Sequence, residues 1–245
     1  TSSIKTRRNT RPRTVDQGSG DSSPRGVLVD CYGAYGNASP PLFPKTWEWC
    51  LECAIDVVVV NPRVDDRAGR SLRSAVALAD AVEWITSHIS SKVVCAGSSA
   101  GATVLLAALV LSRAEVRGVA LMNPLIPQPD GRLVGERDQW EFASAEGLDW
   151  SSIARGMWAG EVSCRGAISL GQNDARIDVA LAREFCAAQT RAAGTPDAWP
   201  CHVSSPGGHR GSSPRIEAEA VDFWRRRISG FLDTEVLSEC GAGHP

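Results

Sequence analysis

The sequence lacks the features that mark a membrane protein or a nucleic-acid-binding protein. None of its apolar runs is long enough to cross a bilayer, so no membrane-spanning helix is expected. Its 26 Lys and Arg and its 28 Asp and Glu leave a formal net charge of −2, which favours neither a nucleic acid nor an acidic membrane as partner. No signal-peptide pattern opens the sequence, and a cytoplasmic location is therefore expected.

The spacing of a metal site is also lacking, although the sequence has eight cysteines. Cys50 and Cys53 form one C-x-x-C pair, but no second pair stands at zinc spacing. Several other cysteines lie in apolar runs, where cysteine usually packs as a small buried hydrophobe. We therefore expect no metal, no other cofactor, and the reduced thiols of a cytosolic protein.

What the sequence does have is a regular alternation of strand-like and helix-like segments. Strands are predicted at 26–33, 56–62, 92–97, 116–124, 165–171 and 198–204, and helices at 44–54, 70–89, 178–194 and 217–232. This alternation predicts an α/β protein with a mostly parallel central sheet and helices on both faces.

Two segments fall outside this alternation. Residues 1–25 are rich in Ser, Thr, Arg and Gly, which is typical of a polar, basic arm with little order. Residues 125–160 are polar, irregular and too long for a plain connector, which favours a lid or a specificity insertion. Residues 26–245 are expected to form a single domain that carries this insertion.

The stretch VVCAGSSAGATVLLAAL, residues 93–109, joins a strand-like run to a long apolar helix. Its centre, residues 97–101, reads G-x-S-x-G with Ser99 in the middle, which is the pattern of a nucleophile elbow. Glycines suit this turn because a β-carbon there would collide with neighbouring backbone. The helix begins directly behind the hydroxyl, so its N–H groups face any negative charge that develops there. The alternative is a tight strand-to-helix turn without chemistry.

A catalytic serine needs a base to accept its proton and an acid to orient that base. Of only four histidines, His209 alone lies in a glycine-rich loop directly after a predicted strand, where the active groups of an open α/β sheet collect. Enzymes with a nucleophile elbow order these residues as serine, acid, histidine. Asp174, just past the strand 165–171, fits that order, whereas Asp178 is predicted to open a helix. For both His209 and Asp174 the alternative is an ordinary turn residue.

Acyl transfer also needs donors for the developing oxyanion. The N–H of Ala100, directly after the serine, is one candidate donor. The second is expected from the loop CYGAYGNASP, which holds both tyrosines of the sequence.

Four segments of the chain resemble the catalytic domain of the prolyl oligopeptidase family of serine peptidases. They are Tyr32-Gly33-Ala34-Tyr35-Gly36, the elbow at 97–101, Gly171-Gln172-Asn173-Asp174-Ala175-Arg176 and Gly207-Gly208-His209. The elbow is common to all α/β hydrolases, whereas the first and third segments are more specific to this family. The resemblance implies an α/β-hydrolase fold. It also implies that the Tyr32 hydroxyl completes the oxyanion hole and that Arg176 holds a backbone carbonyl of the substrate.

The segment 135–140 resembles the acidic, tryptophan-bearing stretch near the primary specificity pocket of this family. The resemblance implies that Trp140 packs on a ring or an apolar side chain and that Glu136 or Asp138 meets a basic one. A surface insertion with ordinary charges is the alternative.

Two departures from the family change the expected site. The strand pattern begins near residue 26, so the β-propeller that the family usually carries is not expected here, and the family's Arg-Gly-Gly-Gly-Glu segment is absent. The site is therefore expected to be open unless the 125–160 insertion or a second copy of the chain covers it.

These observations favour a serine peptidase that cleaves peptide bonds through an acyl-enzyme on Ser99. Arg176 favours a peptide over an ester, because an ester has less need of a backbone anchor. A carboxylesterase on the same machinery is one alternative. A second is a dedicated maturation enzyme for a peptide natural product of the thiopeptide type, which removes a leader or closes a macrocycle. A third is a hydrolase fold kept only as a binding module.

Overall fold

Seven strands form one sheet in the part of the chain that the computed structural model describes, which comprises residues 3–7, 26–31, 48–50, 53–61, 72–133, 147–204 and 214–232. The strands are β1 (Ser3–Arg7), β2 (Gly26–Cys31), β3 (Ile55–Asn61), β4 (Val93–Ser98), β5 (Gly118–Met122), β6 (Arg165–Gly171) and β7 (Cys201–Ser204). The helices are α1 (Leu72–His88), α2 (Ser99–Leu111), α3 (Trp150–Ala159), α4 (Val179–Ala193) and α5 (Pro214–Phe231).

The strand order across the sheet is β1-β3-β2-β4-β5-β6-β7. Strands β2 to β7 run parallel, and β1 pairs antiparallel with β3 at the edge. The register sets Ser98 opposite Met122 and Gly171 opposite Ser204. Because parallel strands end at the same edge of a sheet, the segments that follow β4, β5 and β6 leave the sheet side by side.

Each face of the sheet is covered by an apolar layer. One layer lies between the sheet and the helices α1 to α4, and it includes the fully buried Leu105, Leu106 and Phe185. The other lies between the sheet and α5, and it includes Phe223, Trp224 and Ile228. The prediction of a mostly parallel sheet with helices on both faces is therefore confirmed.

Helix α2 follows the elbow and is the most enclosed helix of the described chain. It contacts β4, α1 and α3, and its residues 100–109 are all buried, so the whole circumference of this part is covered. Helix α1 is amphipathic instead: Leu78 and Val82 are buried, while Trp84 is exposed. No helix among the described residues combines the length and the apolarity that crossing a membrane requires.

The first difference from the sequence prediction lies within residues 1–25. Ser3–Arg7 form β1, whose backbone pairs with β3 in the register Ser3↔Asn61 to Arg7↔Val57. Strand pairing is made by backbone N–H and C=O groups, and an edge strand tolerates polar residues. A polar composition therefore does not prevent this segment from adding a strand.

The second difference lies within the 125–160 insertion, which was expected to be irregular. Residues 150–159 form α3, an amphipathic helix that buries Trp150, Ile153 and Met157. Asp149 caps its N-terminus by accepting hydrogen bonds from the backbone N–H groups of Ser151 and Ser152. The irregular expectation is wrong for this segment, because its apolar residues recur at helical spacing against the core.

Candidate active site

The turn between β4 and α2 places Ser99 at the carboxyl edge of the sheet. Ser98 ends β4 in an extended conformation, and Ser99 begins α2 with a φ of +51°. This left-handed conformation is uncommon for a residue with a side chain and costs about 1–3 kcal/mol. Such strain is the signature of a nucleophile elbow, which turns the serine out of the strand and into the helix within one residue.

Gly97 makes this tight turn possible. A β-carbon at this position would lie 2.9 Å from the Cα and 3.2 Å from the backbone N of Ala102, in the first turn of α2. Both are backbone atoms, which cannot move aside as the end of a flexible side chain can. The glycine predicted from the motif is therefore required by the close approach of helix and strand.

Ala100, the residue predicted to donate to the oxyanion, lies in the first turn of α2. Ala100 is the second residue of the helix, so its N–H has no acceptor within α2. The helix dipole adds partial positive charge at the same end. Tyr32, the predicted second donor, lies outside the described residues.

Asp174 lies in the turn directly after β6 and is buried. Its backbone N–H donates to the carbonyl of Gly171 at 3.1 Å, and its Oδ1 accepts a hydrogen bond from the backbone N–H of Arg176 at 2.9 Å. Asp178, four residues on, caps α4 by accepting from the N–H of Leu181 at 3.0 Å. Of the two carboxylates, Asp178 is therefore occupied by a structural role, and Asp174 is held next to the strand end.

Two neighbouring strands hold the end of β6, from which the Asp174 turn begins. On the β5 side, the Gly171 N–H donates to Oδ1 of Asn123 at 2.9 Å. On the β7 side, the Gln172 N–H donates to the carbonyl of Ser204 at 3.0 Å, and the Ser204 hydroxyl donates to the carbonyl of Leu170 at 3.1 Å. The acid turn is thus supported from both sides.

Strand order brings Ser99 and Asp174 to one edge of the sheet. Ser99 follows β4 and Asp174 follows β6, with β5 between them, so the two strand ends are separated by about 10 Å. His209 belongs to the segment after β7, which pairs with β6. His209, Trp140, Glu136 and Asp138 lie outside the described residues.

The two histidines that the structure describes, His88 and His202, each stack on an aromatic side chain. His88 stacks on the exposed Trp84 of α1, with ring centroids 5.3 Å apart. His202 stacks on Phe223 of α5 at 5.1 Å, between the sheet and that helix.

Arg176, the predicted substrate anchor, is exposed two residues past Asp174. Among the described residues, no group of His, Cys, Asp or Glu has the arrangement needed to hold a metal ion.

Three further residues near the strand ends were not predicted from the sequence: Asn123, Thr103 and Ser204. Thr103 of α2 donates to the carbonyl of Leu125 at 2.8 Å and so ties the elbow helix to the segment after β5. The available signal was positional: Asn123 follows the apolar strand β5 and precedes Pro124, and Ser204 ends β7. A polar residue at the carboxyl end of a parallel strand lies at the edge where sites form.

No protein-family model and no curated protein matches this chain. Among solved structures, the chain is similar to a prolyl endopeptidase, with 19% sequence identity and a TM-score of 0.67 over 88% of this chain and 35% of that one. It is also similar to Thermogutta terrifontis esterase 2, with 17% identity and a TM-score of 0.67 over 95% and 97% of the two chains. Est1E from Butyrivibrio proteoclasticus gives 12% identity and a TM-score of 0.63 over 94% and 95%. The chain therefore has the α/β-hydrolase fold, as predicted.

Proposed function

We propose that this chain is a serine hydrolase that acts through an acyl-enzyme on Ser99. The observation that carries the proposal is the strained, left-handed Ser99 on a strand-to-helix turn that only a glycine at position 97 permits. Strain of this kind is retained where it exposes a reactive group. Asp174, held at the end of β6, supplies the acid in the chain order that the fold uses.

In the proposed reaction, His209 takes the proton of the Ser99 hydroxyl as its oxygen attacks the substrate carbonyl. Asp174 orients His209, and the N–H of Ala100 with the Tyr32 hydroxyl binds the oxyanion. The leaving group departs with the proton from His209. Water then attacks the acyl-enzyme and gives its proton to the same histidine, which passes it to the Ser99 oxygen as the bond to the acid product breaks.

We favour peptide bonds as the substrate class. The exposed Arg176 follows the acid turn, and its backbone N–H is anchored on Asp174, so the base of its side chain is held near the site. A guanidinium offers fixed donors that match a peptide carbonyl. The similarity to a prolyl endopeptidase supports this choice. Trp140, Glu136 and Asp138 are proposed to line the side-chain pocket.

A carboxylesterase is the second candidate, because the similarity to esterases extends over nearly the full length of both chains. The similarity to the prolyl endopeptidase covers only 35% of that protein. A peptide maturation enzyme with one native substrate is the narrower form of the peptidase proposal.

Covalent labelling of Ser99 tests the shared chemistry. Thermogutta terrifontis esterase 2 has been captured phosphonylated by sarin and by cyclosarin, so a fluorophosphonate is a suitable probe. We expect one adduct per wild-type chain by intact mass, none on Ser99→Ala, and the wild-type adduct on Ser98→Ala. Ser98 is the matched control because it is the adjacent serine and its side chain makes no capping hydrogen bond. A wild-type chain that stays unlabelled, or a Ser99→Ala variant that is labelled, contradicts the proposal.

Substrate class is tested by comparing a peptide library with p-nitrophenyl acetate. The peptidase proposal expects Arg176→Ala to lower peptide cleavage far more than ester hydrolysis. Arg191→Ala, at an exposed arginine in the last turn of α4, is the control and should change neither. Ester turnover with no peptide cleavage would establish the carboxylesterase instead, and peptide products that lack one water would point to cyclisation.

A further inference from the structure

The end of β5 departs from regular strand pairing at Asn123. The N–H of Asn123 donates to the carbonyl of Ser169 at 2.9 Å, which continues the parallel ladder with β6 by one step. In a continued ladder, the next donor, the N–H of Gly171, would bond to the backbone carbonyl of residue 123. Here the Gly171 N–H bonds to the side-chain Oδ1 of Asn123 instead, at 2.9 Å.

The backbone of Asn123 explains this replacement. Its φ of +44° is left-handed, and Pro124 follows it, so the chain leaves the sheet at this point. Asparagine is among the few residues with a side chain that adopt this conformation readily. Its amide oxygen takes the place of the departing carbonyl, and the pairing of β5 with β6 extends beyond the point where the β5 backbone turns away.

The bond to Gly171 leads directly to the proposed catalytic acid. The carbonyl of Gly171 accepts the N–H of Asp174, so the same residue donates its own N–H to Asn123 and starts the Asp174 turn with its carbonyl. Asn123 is 97% buried, and its bond to Gly171 spans 48 residues of sequence. Displacements of about 1 Å at a catalytic group lower rates on the order of 100-fold.

We propose that Asn123 is a positioning residue that sets the place of Asp174 through the N–H of Gly171. The proposal rests on the proposed function, because it assigns Asp174 as the acid that orients the catalytic base. Asn123 acts through its side-chain oxygen, and its tolerance of a left-handed backbone is a separate property. Substitution can therefore separate the two roles.

The experiment compares the fluorophosphonate labelling rate of Ser99 in the wild type, in two variants at position 123 and in one control variant. Asn123→Gly keeps the left-handed backbone without steric strain and removes the oxygen, whereas Asn123→Asp keeps an oxygen acceptor at the same position. We expect Asn123→Gly to slow labelling on the order of 10- to 100-fold and Asn123→Asp to stay close to wild type. Asp197→Gly is the matched control, since Asp197 is also left-handed, at φ +58°, but lies in an exposed turn.

Hydrogen exchange at the Gly171 amide gives a second readout that does not depend on activity. Protection of this amide should fall in Asn123→Gly and persist in Asn123→Asp. Asn123→Ala removes the same oxygen and keeps a β-carbon, so it must show the same losses and replaces the glycine variant if that variant fails to fold.

Three outcomes would overturn the inference. Labelling at the wild-type rate in Asn123→Gly would mean that Asn123 serves the backbone conformation alone. Equal slowing in the glycine and aspartate variants would mean that the oxygen acceptor is not what matters. An unlabelled wild-type chain whose Gly171 amide still responds as expected would refute the serine hydrolase proposal, and the role of Asn123 in catalysis with it.

Discussion

The two turns that carry the proposed nucleophile and acid are built in different ways. The elbow at Ser99 depends on its own backbone: a left-handed residue, and a glycine two positions earlier that lets α2 approach β4. The turn at Asp174 depends on its neighbours, since β6 is held by Asn123 from β5 and by Ser204 from β7. Local backbone geometry thus positions the proposed nucleophile, whereas tertiary hydrogen bonds position the proposed acid.

The difference shows which changes should damage each turn. A larger side chain at Gly97 should disrupt the elbow, because the space between Gly97 and the backbone of Ala102 is too small for a β-carbon. The acid turn should fail when hydrogen-bond partners are removed from strands that are distant in sequence.

The largest effect is expected at the elbow, from Gly97→Ala. The new methyl group would lie 2.9 Å from the Cα of Ala102, and overpacking of this kind costs about 1–3 kcal/mol or more. We expect a lower free energy of unfolding in urea and loss of Ser99 labelling. The control is Gly230→Ala in α5, where a β-carbon meets nothing within 4 Å and the substitution should leave stability unchanged or raised. A Gly97→Ala chain that is as stable and as fully labelled as wild type would show that the elbow tolerates a β-carbon at position 97.

Thr103→Val tests the link between the two turns. Thr103 is fully buried, and its hydroxyl donates to the carbonyl of Leu125 on the segment that continues from Asn123. Without the hydroxyl this buried carbonyl loses a donor, which costs about 1–3 kcal/mol. Thr86→Val is the matched control, because the Thr86 hydroxyl donates within its own helix, to the carbonyls of Val82 and Glu83. Urea unfolding curves of equal midpoint for the two variants would contradict this prediction.

Ser204→Ala should have a smaller effect, on the acid turn. It removes the bond from the Ser204 hydroxyl to the carbonyl of Leu170 but leaves the backbone bond from Gln172 in place. A single hydrogen bond of this kind contributes about 0.5–1.5 kcal/mol. We expect a stability loss in that range and slower Ser99 labelling. Ser87→Ala, at an exposed serine of α1, should match the wild type in both measurements.

The smallest effect is expected at Asp149, which caps α3 and belongs to neither turn. Hydrogen bonds from Ser151 and Ser152 lower the pKa of Asp149 from its ordinary value of 3.8 to about 2. A carboxyl with a depressed pKa stabilises the fold above its unfolded pKa, and this contribution is lost as the pH falls from 3.8 towards 2. The stability difference between wild type and Asp149→Asn should therefore shrink over that interval, while labelling at neutral pH stays unchanged. A difference that is constant across the interval would contradict the prediction.

Local patterns allowed most of the fold to be predicted. Strand β6 was predicted at the observed residues, and α4 within one residue at each end, because hydrophobic periodicity is set by neighbours in sequence. Helix α3 was missed because its polar first turn resembles a loop until Trp150, Ile153 and Met157 are seen to share one buried face. Strand β1 was missed because its pairing with β3 is made by backbone groups.

By itself, the sequence determined the α/β alternation and the elbow, because each of these features depends on residues that are close together in the sequence. Gly97 and Ser99 are two residues apart, so their joint role can be read from the motif. Only the tertiary structure decided what supports Asp174. Asn123 meets Gly171 across 48 residues, and Ser204 meets Leu170 across 34. These contacts depend on which strands are neighbours and in what register they pair, and local sequence patterns do not specify either.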